Sequence, residues 1–159
     1  MLKMSQTLKR VFVYGTLKSG EPNHHWLTTK ANGLARFLAK GTTVIRFPLV
    51  IGTRYNIPFL LDKKGVGHNV QGEIYEVDST MLSNLDVLED YPRYYDRELQ
   101  TILTDQNEKL ECWLYLIRNY PDAMLSKPLL SSYHNTPQQS YSEKSVRDPQ
   151  IAAKDDLSY

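Results

Sequence analysis

Glu89 and Asp90 close the most regular helical pattern in the chain, over about residues 79–90. On a wheel advancing about 100° per residue from Met81, Leu85 falls at about 40°, Leu88 at about −20° and Leu82 at about 100°. Glu89 lies at about 80°, inside that apolar stripe, whereas Asp90 lies at about 180° and points away. One carboxylate of the pair is therefore aimed at the core from a helix C-terminus. Burial and the helix dipole there both favour the protonated form of a carboxyl. A carboxyl held that way suits general acid/base work near neutral pH. The competing reading pairs Glu89 with Arg93 or Arg97, or lets it escape to water at a frayed end.

The second chemical feature is a strand-to-loop junction. Val11-Phe12-Val13-Tyr14 is β-branched and aromatic and reads as a strand. It breaks at Gly15 and opens the turn-rich stretch Gly15–Asn23. A glycine there permits positive φ and lets a ligand approach the backbone. Successive N–H groups of Gly15, Thr16 and Leu17 can form a nest for an oxyanion or a carboxylate. An ordinary glycine turn is the plainer alternative. The spacing of Gly15 and Gly20 invites a P-loop, but Glu21-Pro22 stands where Lys and Ser or Thr are needed.

Other chemistries find little support. His24 and His25 are adjacent while His68 and His134 are remote, so no metal-ligand spacing appears. Cys112 is the single cysteine and alternates with Trp113 in a strand pattern, which suits a buried, inert thiol. No Gly-x-Ser-x-Gly elbow is present. Tyr91, Tyr94, Tyr95 and Tyr115 suit a polar pocket wall or a core equally well.

The elements that must position these groups are mostly strands. Candidates are 34–39, 42–46, 49–51, 57–61 and 70–77, separated by glycines and prolines. From Gly72 onward the last of these alternates and reads as half-buried. Asp78 or Ser79 caps the helix, and Pro92 lies just past its end. Strands at 95–104 and 110–117 flank Asp105–Glu108 and form a hairpin. A short helix is expected near His24–Thr29. Many short strands with one strong helix indicate an α+β fold. Residues 131–159 form a polar, irregular C-terminal tail beyond a domain of residues 1–130; its tyrosines either pack across the body or leave it partly disordered. Tyr141–Gln150 is a candidate cover for the site.

The chain has 159 residues, with 19 Lys and Arg against 18 Asp and Glu, which places it among single-domain proteins of near-neutral charge. Nucleic-acid and anionic-membrane binders need a basic excess that is lacking here. No apolar run reaches a membrane span, and the start lacks a signal-peptide pattern. One cysteine allows no intramolecular disulfide. A cytoplasmic monomer acting on a small molecule, without nucleic-acid or membrane partners, is expected.

Val11 through His24, including Tyr14-Gly15-Thr16-Leu17, resembles the opening of the γ-glutamylcyclotransferase-like family, in its γ-glutamylaminecyclotransferase branch. Pro48–Ile51, Asn56–Leu61, Gln71–Asp78 and Met81–Glu89 follow the same pattern in order, so the resemblance covers about residues 10–118. It implies a small mixed β-barrel with flanking helices. It implies release of 5-oxoproline from γ-glutamyl amines such as γ-glutamyl-ε-lysine, by attack of the substrate's α-amine on its own γ-carbonyl. Carried over by position, Glu89 is the catalytic glutamate, and Tyr14, Gly15, Thr16 and Leu17 bind substrate. No metal or other cofactor is implied. Turnover of γ-glutamyl amino acids or glutathione, or a non-catalytic binding role on the same fold, are the alternatives.

Overall fold

A computed structural model describes residues 7–142 and Leu157. The strands are β1 (Lys9–Val13), β2 (Ala35–Phe47), β3 (Leu49–Gly52), β4 (Ile57–Leu60), β5 (His68–Val77), β6 (Asp96–Thr104) and β7 (Lys109–Leu116). The helices are α1 (His25–Thr28) and α2 (Ser79–Leu88), with 3-10 turns at Lys30–Asn32 and Asp122–Ser126. Five strands close a barrel in the order β1-β5-β2-β6-β7. All its pairings are antiparallel except β7 with β1, where Val11 faces Trp113 and shuts the barrel. β3 and β4 form a separate hairpin. The small mixed barrel with flanking helices agrees with the sequence reading.

The two strand segments expected at 34–39 and 42–46 are one continuous strand. β2 pairs with β5 along most of its length and with β6 over Gly41–Thr43. Its register slips between Phe37 and Ala39 and again between Thr42 and Arg46. Such bulges bend a strand, and bending lets one segment serve two neighbours of a small barrel.

β1 from Val11 to Val13 and β5 from Gly72 to Val77 are covered on both faces. Phe12, Ile74, Ile102, Cys112 and Leu114 fill the barrel. Val11, Val13 and Val77 point outward and join Leu27 of α1 with Met81 and Leu85 of α2. β5 is therefore not the half-buried strand that its alternation suggests: from Gly72 to Val77 only Glu76 has intermediate exposure. The outward Glu73 is 8% exposed. Its Oε1 accepts the Ser19 N–H at 2.8 Å and the Tyr75 hydroxyl at 3.1 Å. A charge in the expected polar row thus becomes the anchor of the loop after β1.

Helix α2 is too short to persist alone and is held at both ends. Asp78 is its N-cap and accepts the Met81 N–H at 2.8 Å, an interaction worth about 1 kcal/mol. Met81 and Leu85 are fully buried, and each contributes about 1.5–3 kcal/mol of apolar burial. The C-terminus closes in a Schellman arrangement: Asp90 N–H meets Val87 O at 3.1 Å and Tyr91 N–H meets Asp86 O at 2.9 Å. Asp90 takes the left-handed conformation this closure needs, with φ 51°.

The segment that leads from this helix into β6 is pinned beyond its last residue. Arg118 donates to Asp96 at 2.6 Å, Glu98 at 2.8 Å and Asp62 at 3.0 Å, and Lys64 joins the cluster through Asp62 and Glu98. The Asp96 carboxyl is held below its usual range chiefly by the Arg118 hydrogen bond. Partial burial pushes Asp62 and Glu98 upward, but hydrogen bonds and charge from Lys64 and Arg118 outweigh it and leave both lowered. Lowered carboxyls add stability above their unfolded pKa, about 4, and lose it as pH falls through the folded values. Arg118→Met is expected to cost about 1 kcal/mol at pH 7, discounted for partial exposure. The difference between variant and native protein should shrink toward pH 3, which urea melts at the two pH values would measure.

The irregular chain after Ser126 returns across the barrel. Tyr133 is fully buried inside it, beside Phe47 and Leu60. The buried Lys18 ammonium reaches the Tyr133 carbonyl at 2.6 Å. Leu157 is buried in the outer cluster. Of the candidate cover Tyr141–Gln150, residues 143–150 lie outside the described residues.

Candidate active site

Glu89 is the C-cap of α2 and keeps near-helical dihedrals, φ −86° and ψ 0°. The wheel therefore still applies to it, and its side chain is half-buried. The wheel does not apply to Asp90, because the helix ends at Leu88 and Asp90 has turned left-handed. Asp90 instead accepts both Arg93 donors, at 2.8 and 3.1 Å. Arg97 forks onto Asp86 at 2.9 and 3.2 Å, between the rings of Tyr91 and Trp113. Both arginines weighed as partners of Glu89 thus hold other carboxylates.

Three buried phenols, those of Tyr14, Tyr95 and Tyr115, feel the charge of Glu89. All three phenols are raised, first by burial and further by their charged neighbours. They therefore remain protonated and neutral within the field of that carboxyl. Each is also fixed. Tyr14 donates to the Tyr115 carbonyl at 2.6 Å, Tyr95 to the Pro58 carbonyl at 3.3 Å, and Tyr115 to Asp86 at 2.6 Å. Asp86 was not singled out from the sequence. It sits one turn before Glu89, and its bond to Arg97 is a remote pairing that sequence spacing does not reveal.

Gly15, Thr16 and Leu17 follow directly on Tyr14. The chain turns through Lys18 N–H to Gly15 O at 3.1 Å and Asn23 N–H to Thr16 O at 2.8 Å. Among the described residues, the N–H groups of Gly15, Thr16 and Leu17 make no hydrogen bond. Adjacent donors in a turned loop are suited to an anionic or developing-anionic oxygen. Tyr14 itself contributes a wall, since its hydroxyl is committed to Tyr115.

Glycine is needed at 15 for a different reason from the one expected. Its φ is not in the left-handed region, unlike that of Gly20 at 84°. A Cβ on Gly15 would instead lie 2.9 Å from Cγ of Pro58 in β4. Gly15→Ala must push the loop off this hairpin while leaving the barrel intact. We expect kcat/KM to fall about 10-fold with the melting temperature almost unchanged, because small displacements of positioning groups are costly.

The remaining candidates are accounted for structurally. Burial pushes the Cys112 thiol up to about 12, and it lies inside the barrel. His24 Nδ1 lies 2.9 Å from the Leu17 carbonyl, and His134 Nδ1 lies 3.4 Å from Glu21. Among the described residues no group of three His, Cys, Asp or Glu is placed to hold a metal ion. No helix among them is long and apolar enough to cross a membrane. A cavity of about 590 Å³ opens beside the loop, lined by Ser19, His24, Phe37, Glu73 and Tyr75 among others. Glu89 is not part of its lining, and the carboxylate-and-donor arrangement identifies the candidate site better than cavity size does.

The profile of the family described as gamma-glutamyl cyclotransferase, AIG2-like, matches residues 11–135. The chain belongs to that family. Relatives agree in sequence and in structure. The chain is 70% identical over 150 residues to a Drosophila melanogaster protein named "Putative gamma-glutamylcyclotransferase CG2811", covering 94% of each. It is 42% identical over 133 residues to gamma-glutamylaminecyclotransferase of Mus musculus, covering 79% of this chain and 89% of that one. The crystal structure of an AIG2-like protein of Mus musculus superposes with a TM-score of 0.84 at 40% identity, covering 88% of this chain and 99% of the other. Family membership makes the protein an enzyme of the γ-glutamyl cyclotransferase type.

Proposed function

We propose that the protein releases 5-oxoproline from γ-glutamyl amines, γ-glutamyl-ε-lysine foremost, with Glu89 as general acid/base. The observation that carries this reading is the Glu89 carboxylate, whose charge reaches three phenols kept neutral, next to a loop whose N–H groups have no hydrogen-bond partner among the described residues. The mouse relative's name supports the amine branch.

In the reaction, the substrate's α-amine nitrogen bonds to its own γ-carbonyl carbon and closes a five-membered ring. The amide bond to the leaving amine breaks. Protons lost by the attacking nitrogen are gained by the departing one, so the chemistry balances without a co-reactant. Glu89 accepts them on one side and returns them on the other. The N–H groups of Gly15, Thr16 and Leu17 hold the α-carboxylate or the carbonyl oxygen as it gains charge. Folding the flexible glutamyl chain into its cyclising conformer is the remaining task, and the tyrosine walls restrict it. No protein nucleophile takes part, which accords with a buried Cys112.

Parallel assays on γ-glutamyl-ε-lysine, a γ-glutamyl α-amino acid and glutathione would test the substrate class. The expected result is 5-oxoproline predominantly from the ε-lysine amide. Predominant release from glutathione or the α-amino acid would move the protein to the other branch. Binding of any of the three without turnover would point to a non-catalytic role.

A further inference from the structure

We propose that the segment Tyr133–Ser142, through Tyr141, forms the leaving-amine wall of the site and selects among γ-glutamyl amides by their amine. This rests on the reaction proposed above. The γ-glutamyl half is common to every substrate of that reaction. Glu89 and the loop N–H groups act on atoms that all such substrates share. Discrimination must therefore come from a group beyond them, on the amine side.

Two connections bring Tyr141 beside the substrate-binding loop and Tyr95. The Asn23 side-chain amide donates to Thr16 Oγ1 and to the Tyr141 hydroxyl, each at 3.0 Å. One amide thus couples the substrate-binding loop to this phenol. Tyr141 also acts electrostatically on Tyr95, which in turn is a neighbour of Glu89 and Tyr14. The half-buried Tyr141 packs against the outer core cluster, so it is a wall rather than a surface residue.

The segment is fastened as a strap. Ser142 N–H reaches the Tyr55 carbonyl at 2.9 Å, and Asn56 Nδ2 reaches the Ser140 carbonyl at 2.9 Å. Tyr141 N–H bonds Asn135 Oδ1 at 2.8 Å, and Asn135 N–H bonds Glu21 Oε1 at 3.0 Å. The strap therefore ties the loop after β1 to the turn between β3 and β4. Tyr141 lies past residue 135, where the family match stops, so this wall comes from sequence outside the shared pattern. A phenol offers a ring face and a hydroxyl to an extended amine with a polar far end, such as the lysine side chain with its own amino and carboxylate groups. A methylamine is too short to use either.

The test compares kcat/KM for γ-glutamyl-ε-lysine and γ-glutamyl-methylamide in native protein, Tyr141→Phe and Asn56→Gly. Glycine keeps the left-handed conformation of Asn56, φ 54°, and removes only the tie to Ser140. Tyr141→Phe is expected to lower the ratio of kcat/KM on the ε-lysine amide to that on the methylamide about 5-fold, the size of one ordinary hydrogen bond. Asn56→Gly is expected to move the same ratio in the same direction. Equal losses on both substrates, or no loss on either, with native protein active on both, would overturn this inference alone. No 5-oxoproline from either substrate with native protein would overturn the reaction and this inference together.

Discussion

Glu89→Gln is expected to lower kcat by about 10³-fold, with KM changed far less, because general acid/base catalysis typically contributes about 10²–10⁴-fold. Glutamine keeps the size of the side chain but cannot take up and return protons. The substitution orphans neither nearby arginine, since Arg93 holds Asp90 and Arg97 holds Asp86. A melting temperature close to that of the native protein would assign the loss to chemistry. Asp90→Asn supplies the contrast. Asp90 sits outside the phenol cluster, on a partly exposed pair, so its loss should change kcat by less than about 2-fold, as expected for a surface pair worth at most about 1 kcal/mol. Equal damage from both substitutions would remove Glu89 from its assigned role.

Tyr133→Ala is expected to cost about 3–5 kcal/mol, the range for truncating a buried aromatic side chain. Tyr133 enters the barrel from the C-terminal segment and is fully buried. Its removal empties space between Phe47, Leu49 and Leu60 that the strands cannot close without changing register. The hydroxyl behaves oppositely. It is buried and has no hydrogen-bond partner among the described residues. Tyr133→Phe should therefore be neutral or stabilising by about 1 kcal/mol, since it deletes an unpaired polar group and no bond. Urea melts of the two variants check both signs. A loss of comparable size in Tyr133→Phe would show that the hydroxyl, not the ring, carries the burial.

Features governed by local physics were legible in the sequence. The Asp78 cap, the Met81 and Leu85 stripe and the hairpin over Asp105–Glu108 depend on neighbours a few residues apart, and the structure contains all three. The partial burial of Glu89 at the helix end follows from the same helical phase. The features missed were those set by contacts far along the chain. β2 reads as two strands around Gly41 because nothing local reveals that a bulged strand must serve both β5 and β6. β5 reads as half-buried because alternation cannot show that the loop bearing Ser19 covers Glu73. Gly15 suggests a φ requirement, whereas the constraint is Pro58, which is 43 positions later and brought close only by the β3–β4 hairpin. The Asp86–Arg97–Tyr115 network needs three elements to meet before it exists. For residues 131–142 the sequence left packing or disorder open, because polar composition hides the single ring, Tyr133, that enters the barrel.

The most direct test of the account is product identity when native protein is given γ-glutamyl-ε-lysine in ¹⁸O-labelled water. Intramolecular attack predicts 5-oxoproline free of solvent oxygen, released together with an equal amount of lysine. Glutamate carrying the solvent label would show water attacking the carbonyl in place of the α-amine and would contradict the mechanism built on Glu89 and the Gly15–Leu17 loop.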